Sequence, residues 1–463
     1  MTRHIAVIGG GVSGLAAAWK LAQQPDIQVT VYEAGDRVGG VLRTEVTDGW
    51  VIEHGPESFL AMKPRGIGLA KELGLESRFQ MTNPANRGSL IMKDGTLHPM
   101  PEGLTGLIPS QFGPMMRTRL VSPLGKLRMG LDYIIPAKKD DADESLGSFV
   151  RRRLGGDIYD HLIEPLMAGI YSGNGDALSL AATFPQLRAA ELEHGGLIKG
   201  VLAQKKAQKA RPIGHQAPLG FLSFRNGIQE LVDMLDQHIR AAGGHIRLTS
   251  PVTGIARTKA DRFVLTTPDG LVDVDGVILA APVYIQAELL ANLAPDAATA
   301  MRGIPQVSSA VVMLGYEETP TAKAPQNYGY LSPRAENRPV KAITWMSSKW
   351  EGRAPAGHFL VRGFLGRAGD EQVLQASDDE LVRMVRDEIA STASIHGDPV
   401  LTRVVRLNAA SPQYTLGHLD RIQRIEQAVA AIPGLAIAGN MLRGVGIPDA
   451  IATGETASDT ILS

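Results

Sequence analysis

Cysteine is absent from the 463 residues. That excludes disulfides, thiolate metal sites and a catalytic thiol. Neither sign of charge is in excess. Lys and Arg number 47 against 48 Asp and Glu, a formal net charge of −1, so no global field gathers nucleic acid or acidic substrates. No window of about 18 apolar residues is free of charges or breakers, so no transmembrane helix is expected. No leader precedes the first apolar run, so the expectation is a cytoplasmic protein without a signal peptide. The 11 histidines show no close pairing at metal-ligand spacing, and no metal is expected. A Ser/His/Asp or paired-carboxylate signature is also missing. No internal repeat or low-complexity linker divides the chain, whose length is about three domains' worth.

What is present starts at once. Residues 4–8 form a short, β-branched apolar run, followed by Gly9, Gly11 and Gly14 in the pattern G-x-G-x-x-G. Gly9 permits a tight turn, Gly11 lets a pyrophosphate approach the main chain, and Gly14 lets a helix pack against the strand. A helix over 13–23 would aim its N-terminus at that pyrophosphate. A second strand over 29–32 ends at Glu33, close to the spacing of a carboxylate that grips ribose hydroxyls. The alternative is a glycine turn in some other α/β unit. Arg37, Gly39 and Gly40 extend the pattern to E-x-x-x-R-x-G-G. This resembles the extended fingerprint of the flavin amine-oxidase superfamily, which holds FAD. Arg37 can neutralise phosphate, and the glycine pair lets the chain pass close to the flavin. Glu33 would repel a 2′-phosphate, so the reading is FAD ahead of NAD(P). Without cysteine no cysteinyl link can form, and the flavin is expected to be non-covalent.

Further along, Asp48-Gly49 and Asp94-Gly95 predict hairpins. Between them, Glu53 and His54 offer an acid/base pair, although ordinary polar contacts at a strand end account for them better. Residues 99–136 are rich in Pro, Gly, Met and Leu, with only Glu102 and Asp132 as acids. They suit a lid of short helices over a cavity, or a monotopic membrane patch. Two helices are expected over 146–170. The basic run 197–211 fits a solvated helix face more simply than a lipid contact. From Gly214 a returning strand–helix–strand block suggests that the first domain is discontinuous. Residues 304–365 alternate with aromatics, as an antiparallel sheet would. Ser377 should cap a helix to 395. The chain closes with a strand, a glycine loop and a helix starting over 447–450, so Gly446, Ile447 and Ala450 would set N–H groups toward the flavin.

At these residues the chain resembles the protoporphyrinogen/coproporphyrinogen oxidase family of haem biosynthesis. The matching pieces are GGGVSGL with DRVGG, EHGPESFLAMK, RLGGDIYDHLIEPLMAGIYSGN, FRNGIQELVDML, SPQYTLGHLDRI and GNMLRGVGIPDAI. The IPD form looks like the Gram-positive-type branch, whose members favour coproporphyrinogen III. Ala450 stands where a cysteine is usual, and Gly439-Asn440 where many flavoproteins have Gly-Asp. The resemblance implies an α/β (α+β) fold in three parts. These are a discontinuous Rossmann-like FAD domain (1–62, 214–285, 400–463), an antiparallel-sheet substrate domain (63–98, 286–399) and a helical lid or membrane-association domain (99–213).

The resemblance also implies a six-electron oxidation of a porphyrinogen. In each of three cycles a hydride passes to flavin N5, a pyrrole-type proton is lost and dioxygen leaves as hydrogen peroxide. No side chain is expected to be catalytic, because the flavin carries the chemistry. Lys63 is the expected propionate contact, with Arg43 and Lys341 as weaker candidates. Gly169 would approach the macrocycle, Leu166, Met167 and Ile170 would line its slot, and Val252 joins the cofactor set. Expected partners are the porphyrinogen and dioxygen. Peripheral contact with the inner face of the membrane and hand-over to the next haem-pathway enzyme remain open. The alternatives are protoporphyrinogen IX as substrate, a flavin amine oxidase, a carotenoid-type desaturase, or a non-catalytic flavin/porphyrin-binding module. Against an amine oxidase, no aromatic follows Tyr414.

Overall fold

A computed structural model describes residues 2–86, 88–102, 104–105, 108–109, 111–140, 142–209 and 220–463. A five-stranded parallel sheet is assembled from both ends of the chain. Its order is His245–Arg247, Ile27–Tyr32, Arg3–Ile8, Gly276–Leu279, Leu435–Ile437. The first strand therefore sits in the middle, with Ile8 level with Tyr32 on one side and Leu279 on the other. The chain leaves it toward one side and returns on the other, which puts a topological switch at Gly9. The strands are apolar along their length, as burial on both faces demands. One face is covered by the first helix, Val12–Ala22, by Gln229–Ala241 and by the C-terminal helix, Ile447–Leu462. The strand block expected from Gly214 begins outside the described residues, and pairing resumes at Phe221–Phe224.

The second sheet has seven strands. In order they are Leu401–Pro412, Gln306–Glu317, His358–Leu365, Val340–Trp345, Gly329–Leu331, Leu90–Lys93 and Thr96–Pro99. Pairing is antiparallel except between Gly329–Leu331 and Leu90–Lys93. The Asp94-Gly95 turn has the positive φ values a two-residue hairpin needs, as does Asp48-Gly49 between Thr44–Thr47 and Trp50–Glu53. The helix Asp378–Ala393 starts in a Ser377/Glu380 capping box and packs Leu381, Val385 and Ile389 on this sheet.

Two expected boundaries move. Leu401–Pro412 pairs along nearly all of Gln306–Glu317 and so belongs to the antiparallel sheet, not to the FAD domain that was to begin at 400. The helix Pro64–Glu72, placed by sequence in the substrate domain, buries Leu69 and Ala70 in the core of the parallel sheet. Periodicity identifies an element but not which sheet edge it joins.

The stretch 146–170 also differs from two regular helices. After Leu146–Arg153 come Gly156–Ile158, a π-turn over Tyr159–Ile163 and the helix Glu164–Tyr171. Pro165 has no N–H for the carbonyl of His161, and the widened turn takes up that missing bond. Arg153 and Asp132, both fully buried, join at 2.6 Å beneath these helices. Among the described residues no helix is long and apolar enough to cross a membrane.

Candidate functional site

The switch point is built by absent side chains. A Cβ on Gly9 would lie 2.7 Å from the Ala280 main chain, and one on Gly14 would lie 2.0 Å from the Gly9 carbonyl. Only glycine lets the strand end, the turn and the helix meet this closely. A Cβ on Gly11 would meet nothing within 4 Å, so this glycine faces open space. No side chain caps the first helix, and its first internal bond runs from Leu15 N–H to Gly11 O at 2.9 Å. The helix start thus presents main-chain N–H groups, beside the bridge that Gly11 makes with Gly39, toward the open Gly11 face.

Across from them, Gly39 and Gly40 take φ of +105° and +58°, and Gly39 N–H donates to Gly10 O at 2.7 Å. Arg37 lies here as well, but its guanidinium donates to the carbonyls of Val38, Gly40 and Leu42 at 2.6–3.1 Å. It shapes the glycine loop where sequence suggested a phosphate partner. The Glu33 carboxylate accepts from Gly10 N–H at 2.6 Å and Gly35 N–H at 2.7 Å, which fixes it at the end of its strand. Val252 is buried just beyond Ser250, whose N–H donates to Glu33 O at 2.8 Å.

The C-terminal helix runs parallel to the first helix at touching distance. A Cβ on Gly454 would lie 2.0 Å from Ser13 O, Ser458 Oγ donates to Ala17 O at 3.0 Å, and Lys20 pairs with Asp459 at 2.6 Å. The first two contacts share one register, 13 with 454 and 17 with 458. The C-terminal helix therefore starts six residues ahead of the first, about 9 Å further along at 1.5 Å per residue. Both positive ends point the same way, one beyond the other. At the farther end Gly446 N–H is held by Asp449 at 3.2 Å, and the N–H groups of Asp449 and Ala450 bond to Gly446 O. Pro448 has none to give, and the Ile447 and Ala450 side chains are buried.

Lys63 lies at this same end. Its ammonium meets Asp449 at 2.5 Å, and its side chain is 42 % exposed. Gly169 and Ile170 are exposed on the helix Glu164–Tyr171, with Gly169 facing Leu331, and Leu166 is half-buried. Met167 differs from expectation: it is fully buried in the helical core and presents nothing to a slot. Arg43 is exposed, whereas Lys341 is buried against Gly366 O and Ser172 Oγ. Glu53 and His54 point into separate networks. Glu53 is fully buried, accepts from Thr44 Oγ1 at 2.7 Å and Ile228 N–H at 2.9 Å, and is pushed up to about 7 by burial. His54 bonds to Glu45 at 3.0 Å.

Sequence reasoning missed two groups. Glu57 bonds to Lys349 at 2.5 Å and Arg362 at 2.7 Å. Those cations outweigh its burial and hold its carboxyl down at about 2. Arg362 also donates to Gly55 O at 2.7 Å, so this network fixes the segment leading to Lys63. Second, Tyr414 and His418 stack at 4.0 Å. Tyr414 donates to Asn440 O at 2.5 Å and His418 Nε2–H to Leu442 O at 3.1 Å, pinning the loop before Gly446. Tyr171 touches Tyr414 edge-on, so this anchor also reaches the end of the helix that carries Gly169. Burial presses His418 down to about 4, leaving it neutral. The run SPQYTLGH was visible, but its structural role was not.

The arrangement suits an extended dinucleotide. A phosphate would meet uncapped N–H groups at the open Gly11 face, and a ring system would reach the advanced terminus at Ile447. A profile of the flavin containing amine oxidoreductases matches residues 12–462. Coproporphyrinogen III oxidase of Bacillus subtilis is 35 % identical, covering 100 % of this chain and 98 % of its own. That of Staphylococcus aureus is 35 % identical over 100 % of both. A crystal structure from Exiguobacterium sp. 255-15, provisionally assigned as a protoporphyrinogen oxidase, superimposes with a TM-score of 0.86. It is 31 % identical and covers 100 % of this chain and 99 % of that one.

Proposed function

The chain belongs to the flavin containing amine oxidoreductase family, among its coproporphyrinogen and protoporphyrinogen oxidases, and from that membership we propose that it oxidises coproporphyrinogen III to coproporphyrin III. Six hydrogens leave the macrocycle, and three molecules of dioxygen become three of hydrogen peroxide. FAD, when bound, accepts hydride from the substrate and returns electrons to dioxygen. The structural observation that supports the cofactor part of the reading is the pair of parallel helices whose N-termini are offset by about 9 Å. Gly9, Gly11, Gly14, Gly39 and Gly40 provide a main-chain cradle for the pyrophosphate, Glu33 stands where ribose would lie, and Arg37 holds the loop shut. The positive helix end at Ile447 favours an electron-rich acceptor there. No covalent link is part of this reading.

On the substrate side, Gly169 and Ile170 offer a flat apolar face beside Leu331. Lys63, steadied by Asp449, donates to a propionate at the mouth. Holding the macrocycle against one face positions a meso carbon and excludes water from it. FAD-loaded protein given coproporphyrinogen III under air should develop porphyrin fluorescence and three peroxides per porphyrin. A faster rate on protoporphyrinogen IX, or no turnover on either, overturns the assignment.

A peripheral membrane contact is part of the proposal. Leu124, Leu127 and Ile134 are 78 %, 70 % and 73 % exposed along one short helical stretch, a density of bare apolar side chains that suits a lipid surface. Flotation with phosphatidylglycerol vesicles should carry the protein and should fail for Leu127→Asp. Equal flotation of both proteins, or none, rejects the contact.

A further inference from the structure

The antiparallel sheet carries a cavity that the proposed reaction leaves unused. It encloses about 240 Å³ where the turn 337–339 meets Gly366 and Arg367, just past the strand His358–Leu365. Its wall brings three cations, Arg338, Lys341 and Arg367, against one carboxylate, Asp370. Arg338 is paired with Glu388 at 2.9 Å and Arg367 with Asp370 at 3.1 Å. Among the described residues Lys341 has no acid partner. It is 6 % exposed, and its ammonium donates to Gly366 O at 2.5 Å and Ser172 Oγ at 2.9 Å. Burial first, then Arg367 and Arg334, press it down to about 7. A buried ammonium with neutral acceptors, in a wall of net positive charge, is short of an anion.

Two of these cations, Arg367 and Lys341, together with Arg334, hold the two ends of the helix Glu164–Tyr171. Glu164 accepts from Arg334 N–H at 3.1 Å and lies 3.2 Å and 3.8 Å from the guanidinium groups of Arg334 and Arg367. At the other end Ser172 takes a φ of +49°. Its hydroxyl accepts from Lys341, and its carbonyl accepts from Ala368 N–H at 2.8 Å. Gly169 and Ile170 lie between these two clamps.

We propose that this cavity is a binding site for a small multivalent oxyanion of the phosphate class. Arg338, Lys341 and Arg367 are its donors. Occupancy draws Lys341 from Ser172 and Arg367 from Glu164, which releases the helix that presents Gly169. Binding stands independently of the reaction, whereas its effect on turnover rests on the function proposed above.

Inorganic pyrophosphate titrated calorimetrically into FAD-loaded protein at fixed ionic strength should bind saturably, one per chain. Arg338→Gln should weaken binding about tenfold or more, and Lys341→Met should do so through a different element. No saturable binding, or binding by both variants as tight as by the unaltered protein, overturns the site. Porphyrin propionates are oxyanions too, so the titration is repeated with coproporphyrin III bound. Undiminished pyrophosphate binding supports a separate site, while displacement by porphyrin places a propionate here and overturns it. In turnover, pyrophosphate should raise KM for coproporphyrinogen III in the unaltered protein but not in Arg338→Gln. An equal rise in both overturns the coupling to the helix. A protein that binds pyrophosphate yet turns over no porphyrinogen keeps the site and removes only the proposed reaction.

Discussion

The cofactor side and the substrate side of the proposed site are made by opposite means. Around Gly9, Gly11 and Gly14 the main chain does the shaping, and the side chains that matter are the ones left out. Around Glu57, Lys349 and Arg362 the shaping is done by long charged side chains locked together in the interior. At Gly9 and Gly14 the first region cannot accept an added carbon. The second cannot accept a lost charge. Two glutamates four residues apart show how finely the second is set. Glu57 has two cations at 2.5 and 2.7 Å and falls to about 2, whereas Glu53 meets Arg353 at the longer 3.6 Å and burial lifts it to about 7.

The largest effect is expected from crowding the glycine side. Gly14→Val sets a branched side chain where a Cβ already lies 2.0 Å from a carbonyl oxygen. Loss of more than about 5 kcal/mol, seen as insoluble or unfolded protein, is expected. A soluble Gly14→Val protein with unaltered melting would break the contrast. Next comes loss of charge on the other side. Glu57→Gln leaves Lys349 and Arg362 buried without their acid, at about 3–5 kcal/mol by denaturant titration. A change below about 1 kcal/mol would show that the network is ornamental.

The third prediction uses pH. Glu53 has a folded pKa of about 7 above an unfolded one near 4.5, so the folded state holds the extra proton between them. Stability from this group is full below about 4.5 and falls as pH rises to 7, by roughly 3 kcal/mol. Glu57 does the reverse, losing stability as pH falls from about 4.5 toward 2. Glu53→Gln should therefore gain on the unaltered protein as pH rises from 4.5 to 7. Parallel melting curves across that range would refute it. The smallest effect sharpens the contrast within the glycine side. Gly11→Ala, at φ −70° with nothing within 4 Å, should melt within about 1 kcal/mol of the unaltered apoprotein yet bind FAD about tenfold more weakly. Equal FAD affinity would mean that nothing approaches Gly11.

This difference in construction also decides what sequence could reveal. The strand, turn, helix and acid of residues 3–33 lie within one short window, and their order was readable. So were the Asp-Gly hairpins and the Ser377 cap, because each is a local bargain between backbone and side chain. The resemblance names Lys63 as a propionate contact, but its partner Asp449 lies 386 positions away and no local pattern announces it. Arg362 is 305 positions from Glu57. Met167 shows the limit on a helix: its apolar neighbours Leu166 and Ile170 read the same way, and only packing decides which faces the core. Arg37 shows it in a loop, where a guanidinium free to choose bonded its own carbonyls.

The seam between the first and last helices bears on synthesis. Ser13 and Ala17 pack on Gly454 and Ser458, residues made 441 positions later. At roughly 5–20 residues per second, the glycine turn waits on the order of 20 to 90 s for the helix that completes it. Until then the small-residue face of Val12–Ala22 is bare, and the sheet lacks its strand Leu435–Ile437. A nascent chain thus cannot finish its cradle piecemeal. Cofactor capture becomes a late, whole-chain event, and the interval is one in which a chaperone would find an apolar helix to hold.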